Sequence, residues 1–334
     1  QYMMFFTQKG KCFWMRVYEI PEGSKTAKGR AIQNLVNIES DDKVKAFICT
    51  QDLKDKDYIN SHNLVMVTKQ GQVKKTSLEK YSKPRVNGVA AITIKEGDEL
   101  LEAKLTNGES QIILAVKSGK LVRFEETKTR PMGRTASGVR GISLKDETDE
   151  VIGMVTVDKD DINDTQILVV TENGYGKRTK LVDEDGEDVY RITNRGGKGV
   201  KTLNITEKTG KLISISNVTD ADDLMIINKS GLTIRMAVED LRVMGRATQG
   251  VKLINLKGND SIAAVTKVMK DDVAEVVVDE DGNVIETEAI ERVKPVLEVL
   301  EDDGVEDDDD SDEEDEIEDD EDSEEAGDED DSDE

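Results

Sequence analysis

A chain of 334 residues with 36% hydrophobic content is long enough to bury a core, which excludes a wholly disordered protein. Its formal charge of −27 opposes a nucleic-acid partner only at first sight: residues 301–334 hold 26 Asp and Glu and no Lys or Arg, leaving 46 basic against 47 acidic residues elsewhere. Two cysteines, Cys12 and Cys49, cannot build a disulfide framework and lack zinc-ligand spacing. They are expected to be buried thiols of a reducing, cytoplasmic compartment, and no apolar run approaches the ~20 residues that span a bilayer. The opening run from Gln1 to Phe6 is strand-like, lacks a signal peptide's charged start and has no initiator Met, so the chain reads as a fragment of a longer one.

Along the chain, four apolar residues followed by three mostly polar ones and a glycine occur five times: Met3–Phe6 with Gly10, Leu64–Val67 with Gly71, Ile112–Ala115 with Gly119, Ile167–Val170 with Gly174, and Leu224–Ile227 with Gly231. Each predicts a buried strand entering a tight turn that needs positive φ. A second glycine follows after 19, 17, 19, 25 and 19 residues, at Gly29, Gly88, Gly138, Gly199 and Gly250, and another apolar stretch such as Val89–Ile92 comes next. With few prolines and no long 3.6-residue periodicity, this predicts an all-β fold, a propeller-like disk of four-stranded blades. The units fall at about 1–50, 51–108, 109–160, 161–217 and 218–270, with a half repeat at 271–290 and a linker plus disordered acidic tail at 291–334.

Aligned on their glycines, the units carry cations in register. Four positions after the turn glycine stand Lys75, Arg123, Arg178 and Arg235; four before the second glycine stand Lys25, Arg134, Arg195 and Arg246; eight before it stand Lys80, Arg130, Arg191 and Arg242. Twelve of fifteen such positions are basic, where the overall composition predicts about two. In a radial fold, equivalent positions share a radius, so the repeated charge forms a band. A band of cations on a curved surface suits a bent phosphate backbone held with little base readout, and these residues are expected to bind duplex DNA. Cations at strand ends also solubilise blade edges, a reading that explains scattered charges but not a shared register. A protein-interaction propeller, using the acidic tail to hold basic partners, is the competing reading.

The segments Gly174-Tyr175-Gly176-Lys177-Arg178-Thr179, Met132-Gly133-Arg134-Thr135-Ala136-Ser137-Gly138-Val139 and Val243-Met244-Gly245-Arg246-Ala247-Thr248-Gln249-Gly250 resemble blades of the DNA gyrase A C-terminal domain, over roughly residues 1–265. The topoisomerase IV homologue is a close alternative. The resemblance implies a β-pinwheel whose blades exchange strands and whose basic rim wraps DNA for ATP-dependent negative supercoiling. It also implies, as partners, the N-terminal cleavage domain and the gyrase B protein in an A2B2 assembly, with Mg and ATP belonging to that assembly and no cofactor or metal in this chain. The family's Gln-Arg-Arg-Gly-Gly-Lys-Gly box is matched in its last five residues by Arg195, Gly196, Gly197, Lys198 and Gly199. In the family that box lies in the first blade, whereas this chain opens like the second. The loop is therefore either a box or one rim loop among equivalent siblings, the second fitting the internal register better.

Catalysis by this chain is not expected. The family's catalytic tyrosine follows an arginine, and none of the six tyrosines here does. His62 lies in a polar connection without a nucleophile nearby, and Asp279–Asn283 fits an Asp-Gly hairpin better than a calcium loop. The tail is a tethered polyanion that either competes with DNA for the rim or only aids solubility.

Overall fold

The computed structural model describes residues 1–24, 28–258, 260–269, 277–278 and 284–285. The first repeat forms β1 (Tyr2–Thr7), β2 (Lys11–Arg16) and β3 (Val44–Thr50). The second forms a short helix α1 (Lys56–Ser61), then β4 (Asn63–Thr68), β5 (Gln72–Ser77), β6 (Val89–Ala90) and β7 (Leu100–Thr106). The third contributes β8 (Gln111–Val116), β9 (Lys120–Glu125), β10 (Val139–Arg140) and β11 (Val151–Val157), and the fourth β12 (Gln166–Thr171), β13 (Tyr175–Lys180), β14 (Val200–Lys201) and β15 (Leu212–Val218). The fifth gives β16 (Asp222–Asn228), β17 (Thr233–Ala237), β18 (Val251–Lys252) and β19 (Ile262–Met269). Further on, β20 (Val277–Val278) pairs antiparallel with β21 (Val284–Ile285). The rest of 271–290, the linker and the acidic tail lie outside the described residues.

Each repeated apolar run is the middle strand of a sheet, and its turn glycine closes a hairpin at φ between +82° and +88°. In β8 and β12 all six residues are buried, as befits strands covered on both faces by neighbouring sheets. Helix α1 was not signalled by any long apolar periodicity. It is held at its start by Asp55, whose side chain accepts from the amides of Asp57 and Tyr58.

Sheets and repeats do not coincide. The short strand after four of the five second glycines, all but Gly29, joins the preceding repeat's sheet: β6 pairs with β2, β10 with β5, β14 with β9 and β18 with β13. This gives four four-stranded sheets, in the orders β3-β1-β2-β6, β7-β4-β5-β10, β11-β8-β9-β14 and β15-β12-β13-β18. The fifth sheet, β19-β16-β17, has three strands among the described residues. The second glycines make the crossing possible. Gly138 and Gly199 adopt φ of +92° and +73°. A Cβ there would lie 2.7 Å from the Val73 carbonyl oxygen and 2.5 Å from that of Leu121, so only a residue without one lets the donated strand touch the accepting backbone.

The opposite edge strands β3, β7, β11, β15 and β19 pack successively against one another, placing them around the axis of a five-bladed, all-β propeller and the donated strands at its periphery. Most of the core is made between blades; Phe5, Phe13, Met15, Val36 and Ile38, all of the first repeat, form a separate cluster. Met4, Phe6 and Cys12 of the first sheet cluster with Leu64 and Met66 of the second and with Leu78 just after β5, and Val65 and Val67 cluster with Ile112 and Leu114 on the next interface. Cys12 is buried as expected, but Cys49 is exposed in β3, where alternation turns it outward.

Candidate nucleic-acid interface

The three registers occupy different places. The register following the turn glycine lies inside the outer strand of each hairpin, where both sheet faces are covered. Lys75 is 5% exposed, Arg123 1% and Arg178 7%, and Arg235 is half-buried. Their charges are spent inward. Arg123 donates to the carbonyl oxygens of Tyr190 (2.8 Å) and Leu181 (3.4 Å), to Gln111 Oε1 (2.8 Å) and to Asp188 Oδ1 (2.8 Å). Lys75 Nζ donates to the Glu126 carbonyl oxygen at 3.0 Å. Arg178 Nε donates to that of Leu241 at 2.7 Å and pairs with Asp220, and Arg235 pairs with the fully buried Asp223 at 2.7 Å. Burial pushes the Lys75 ammonium and the Arg123 guanidinium below their ordinary pKa values, with Glu126 and Asp188 respectively opposing the shift. These side chains lie inside the disk, a change from the band their register suggested.

The same residues nevertheless serve the rim through their backbones. The carbonyl oxygens of Lys75, Arg123 and Arg178 accept from the amides of Met132, Thr193 and Met244, at 2.8, 2.8 and 2.9 Å. Each amide lies two residues after a cation of the outer register: Arg130, Arg191 and Arg242. A buried cation thus grips the next repeat's loop from both sides, its side chain on a carbonyl ahead of the outer arginine and its backbone on the amide after it. Lys80, Arg130, Arg191 and Arg242 are all exposed.

The register four before the second glycine is half-buried at Arg134, Arg195 and Arg246, and Lys25 lies outside the described residues. Arg195 leans over the preceding blade's donated strand, with Nε donating to the Lys128 carbonyl oxygen (3.2 Å) and a terminal nitrogen to that of Arg140 (3.4 Å). A pocket of about 180 Å³ is lined by Arg134 and Thr135, from the loop ahead of β10, and by Arg85, Gly88, Val89 and Ala90, at and before the donated strand β6. Beneath it sits Lys74, fully buried. Its ammonium donates to the carbonyl oxygens of Ala91 (2.6 Å) and Arg134. Desolvation, with a smaller contribution from the charge of Arg134, brings Lys74 down to about 7. Lys177 repeats the arrangement under Arg246, donating to the carbonyls of Gly245, Arg246 and Thr248.

The loop at 195–199 makes the link its siblings make. Ser143 takes its amide to the Gly197 carbonyl oxygen (2.9 Å) and its hydroxyl to that of Gly196 (2.7 Å), as Thr93 bonds Ala136 and Asn204 bonds Thr248. It differs at Gly196, where φ is +84°, while Thr135 and Ala247 at the equivalent positions keep negative φ. Lys198 is exposed beside it.

Glycine alignment also holds cations that the three registers omit. Arg140, Lys201 and Lys252 stand two residues after the second glycine, on β10, β14 and β18, and Arg140 and Lys201 are exposed. Lys201 pairs directly opposite Lys120, so two cations stand side by side on this edge. Counting forward from the second glycines locates all three. Arg85 stands three residues before Gly88, one position off the register of Arg134, Arg195 and Arg246, in a loop of 17 residues against 19 or 25 in the other units. No group of three metal-ligating side chains occurs among the described residues.

Comparison with known proteins agrees with this architecture. The family described as "DNA gyrase C-terminal domain, beta-propeller" matches residues 1–51, 62–107, 111–158, 165–219 and 222–269, and the first gap contains helix α1. The DNA gyrase A protein of Staphylococcus epidermidis is 42% identical over 272 residues, covering 81% of this chain and 29% of that protein. The gyrase A protein of a Staphylococcus aureus strain is 40% identical over 294 residues, 86% of this chain and 32% of its own length. The chain therefore spans about 30% of the length of these relatives. Among solved structures, the C-terminal domain of a DNA topoisomerase IV superposes with a TM-score of 0.70 at 25% identity, covering 80% of this chain and 79% of that one. A DNA gyrase A C-terminal domain gives 0.65 at 23% identity, covering 80% and 82%. With five strand-exchanging blades and a family match across all five, the chain belongs to the DNA gyrase C-terminal domain family.

Proposed function

We propose that this chain is the non-catalytic DNA-binding and DNA-wrapping part of a type II topoisomerase, a gyrase, bending duplex DNA around its periphery so that strand passage elsewhere in an A2B2 assembly yields negative supercoils. The observation that carries this reading is the outer register: Arg130, Arg191 and Arg242 are exposed at equivalent points on successive repeats, each beside a loop gripped by a buried cation. Arg134, Arg195, Arg246, Lys198 and Lys80 extend the surface, and Arg140, Lys201 and Lys252 add to it from the donated strands. Bending 20–30 bp costs about 1–6 kcal/mol, so many phosphate contacts are needed to offset it, and a repeated band supplies them. The buried register acts by placing the exposed ones. The acidic tail competes for the same surface, as a polyanion tethered to it.

A salt titration of binding to short and long linear duplexes, with topology read after ligation of circles, tests the reading. About ten phosphate contacts predict a slope of log K against log salt near −9 and a shift in linking number. Weak, salt-independent DNA binding with capture of basic proteins would instead establish the protein-interaction reading.

A further inference from the structure

Large apolar side chains on the surface are not scattered at random. Among the described residues nine are exposed, and four of these, Val17, Val86, Ile192 and Val243, directly follow an arginine. With 14 arginines in the chain, fewer than one such coincidence is expected, by the ratio of arginines to all 334 residues. Arg16 is occupied by the rings of Tyr2 and Tyr18, whereas the other three pairs lie in the loops that run to the second glycines, among the cations of the candidate interface. Val86 is 86% exposed, Val243 44% and Ile192 39%. Arg130 is followed in the same way by the exposed Pro131.

We propose that Val86, Ile192 and Val243 are wedges that press between base pairs from the minor groove of duplex DNA, each beside an arginine that holds the adjacent backbone, so that the DNA bends at defined steps rather than smoothly. The proposal rests on the DNA-binding reading and concerns how the bend is made. Three observations carry it.

The first is chemical. An exposed branched aliphatic group gains nothing from a phosphate, so an electrostatic band has no use for it, whereas an apolar side chain next to a cation is the pairing by which bending proteins unstack a base step. The second is rigidity, because a wedge must not yield. The amide following Ile192 is held by the Arg123 carbonyl oxygen at 2.8 Å, and that following Val243 by the Arg178 carbonyl oxygen at 2.9 Å. Val86 lies inside a turn closed by the Gly88 amide on the Arg85 carbonyl oxygen at 3.0 Å. The third is repetition: Ile192 and Val243 occupy one register, seven residues before Gly199 and Gly250, with Pro131 seven before Gly138. A repeated wedge prefers flexible pyrimidine–purine steps, which gives binding a phase along the DNA without base-specific hydrogen bonds.

The test uses the whole chain and its V86S/I192S/V243S variant, whose substitutions lie at exposed positions and leave every cation in place. Linear duplexes carry 2-aminopurine at TA steps and a donor–acceptor dye pair at their ends. The wild type is expected to raise 2-aminopurine fluorescence several-fold and to bring the ends together. The variant is expected to lose most of the fluorescence change and part of the bend while keeping the salt slope of binding. Binding and bending by the wild type without a fluorescence rise, or an equal rise with the variant, overturns the wedges and leaves the DNA-binding reading standing. Absence of DNA binding by the wild type overturns both.

Discussion

The Arg123 guanidinium donates to the Tyr190 carbonyl oxygen at 2.8 Å, so a side chain of the third repeat fixes the backbone of the fourth immediately before its exposed arginine, Arg191. Two cations in different registers thereby have opposite tasks, one holding and one facing outward. Arg123→Met takes the guanidinium donor from the Tyr190 carbonyl, while that of Leu181 keeps the Val189 amide, and is expected to destabilise the fold by about 1–3 kcal/mol. Arg191→Ala, at an exposed position, is expected to change stability by less than about 0.5 kcal/mol and yet to weaken DNA binding. Urea unfolding and DNA titration of the two variants separate the roles.

The donated strands depend on a backbone without a side chain at the crossing. Gly199→Ala brings a Cβ to 2.5 Å from the Leu121 carbonyl oxygen and forces an alanine into φ of +73°. A loss of about 1–3 kcal/mol is expected, with faster hydrogen exchange in β14. Gly245→Ala, where no atom lies within 4 Å and φ is not positive, is the control and is expected to be close to neutral.

Lys74 makes stability depend on pH in a definite direction. Its folded pKa of about 7 lies below the ordinary 10.5, so between those values the unfolded chain carries a proton that the folded one has released. Stability contributed by this site therefore rises as pH increases from about 7 towards 10 and is flat below. Urea midpoints of the wild type and Lys74→Met, compared over that range, should diverge in favour of the wild type as pH rises.

The acidic tail enters through charge alone. Removing residues 301–334 deletes 26 carboxylates and is expected to tighten DNA binding, most strongly at low salt where competition is least screened. Unchanged affinity at low and moderate salt would leave the tail a solubility segment.

The blade count and both glycine registers were legible in the sequence because φ near +80° and close backbone approach leave glycine as the residue that fits, and the period then follows. Strand donation was not legible from the residues. Val139-Arg140 is two residues long and joins a sheet begun by Gln72–Ser77, and nothing in composition names that partner. The sorting of cations into buried and exposed is illegible in the register for a different reason. Register sets equivalent positions, but not whether a position faces water. Lys75, Arg123 and Arg178 sit within six-residue strands between two sheets, whereas Arg130, Arg191 and Arg242 sit in the connections. Lys74 and Lys177, one residue earlier, gave no sequence signal because only the folded loops supply their carbonyl partners.

The division between holding and facing cations is tested most directly by the salt dependence of linear-duplex binding for Arg130→Ala/Arg191→Ala/Arg242→Ala beside the wild type. Loss of three phosphate contacts predicts a slope of log K against log salt shallower by about 3, with an unchanged urea midpoint. An unchanged slope and affinity in that variant, with the fold intact, would contradict the placement of DNA on this register.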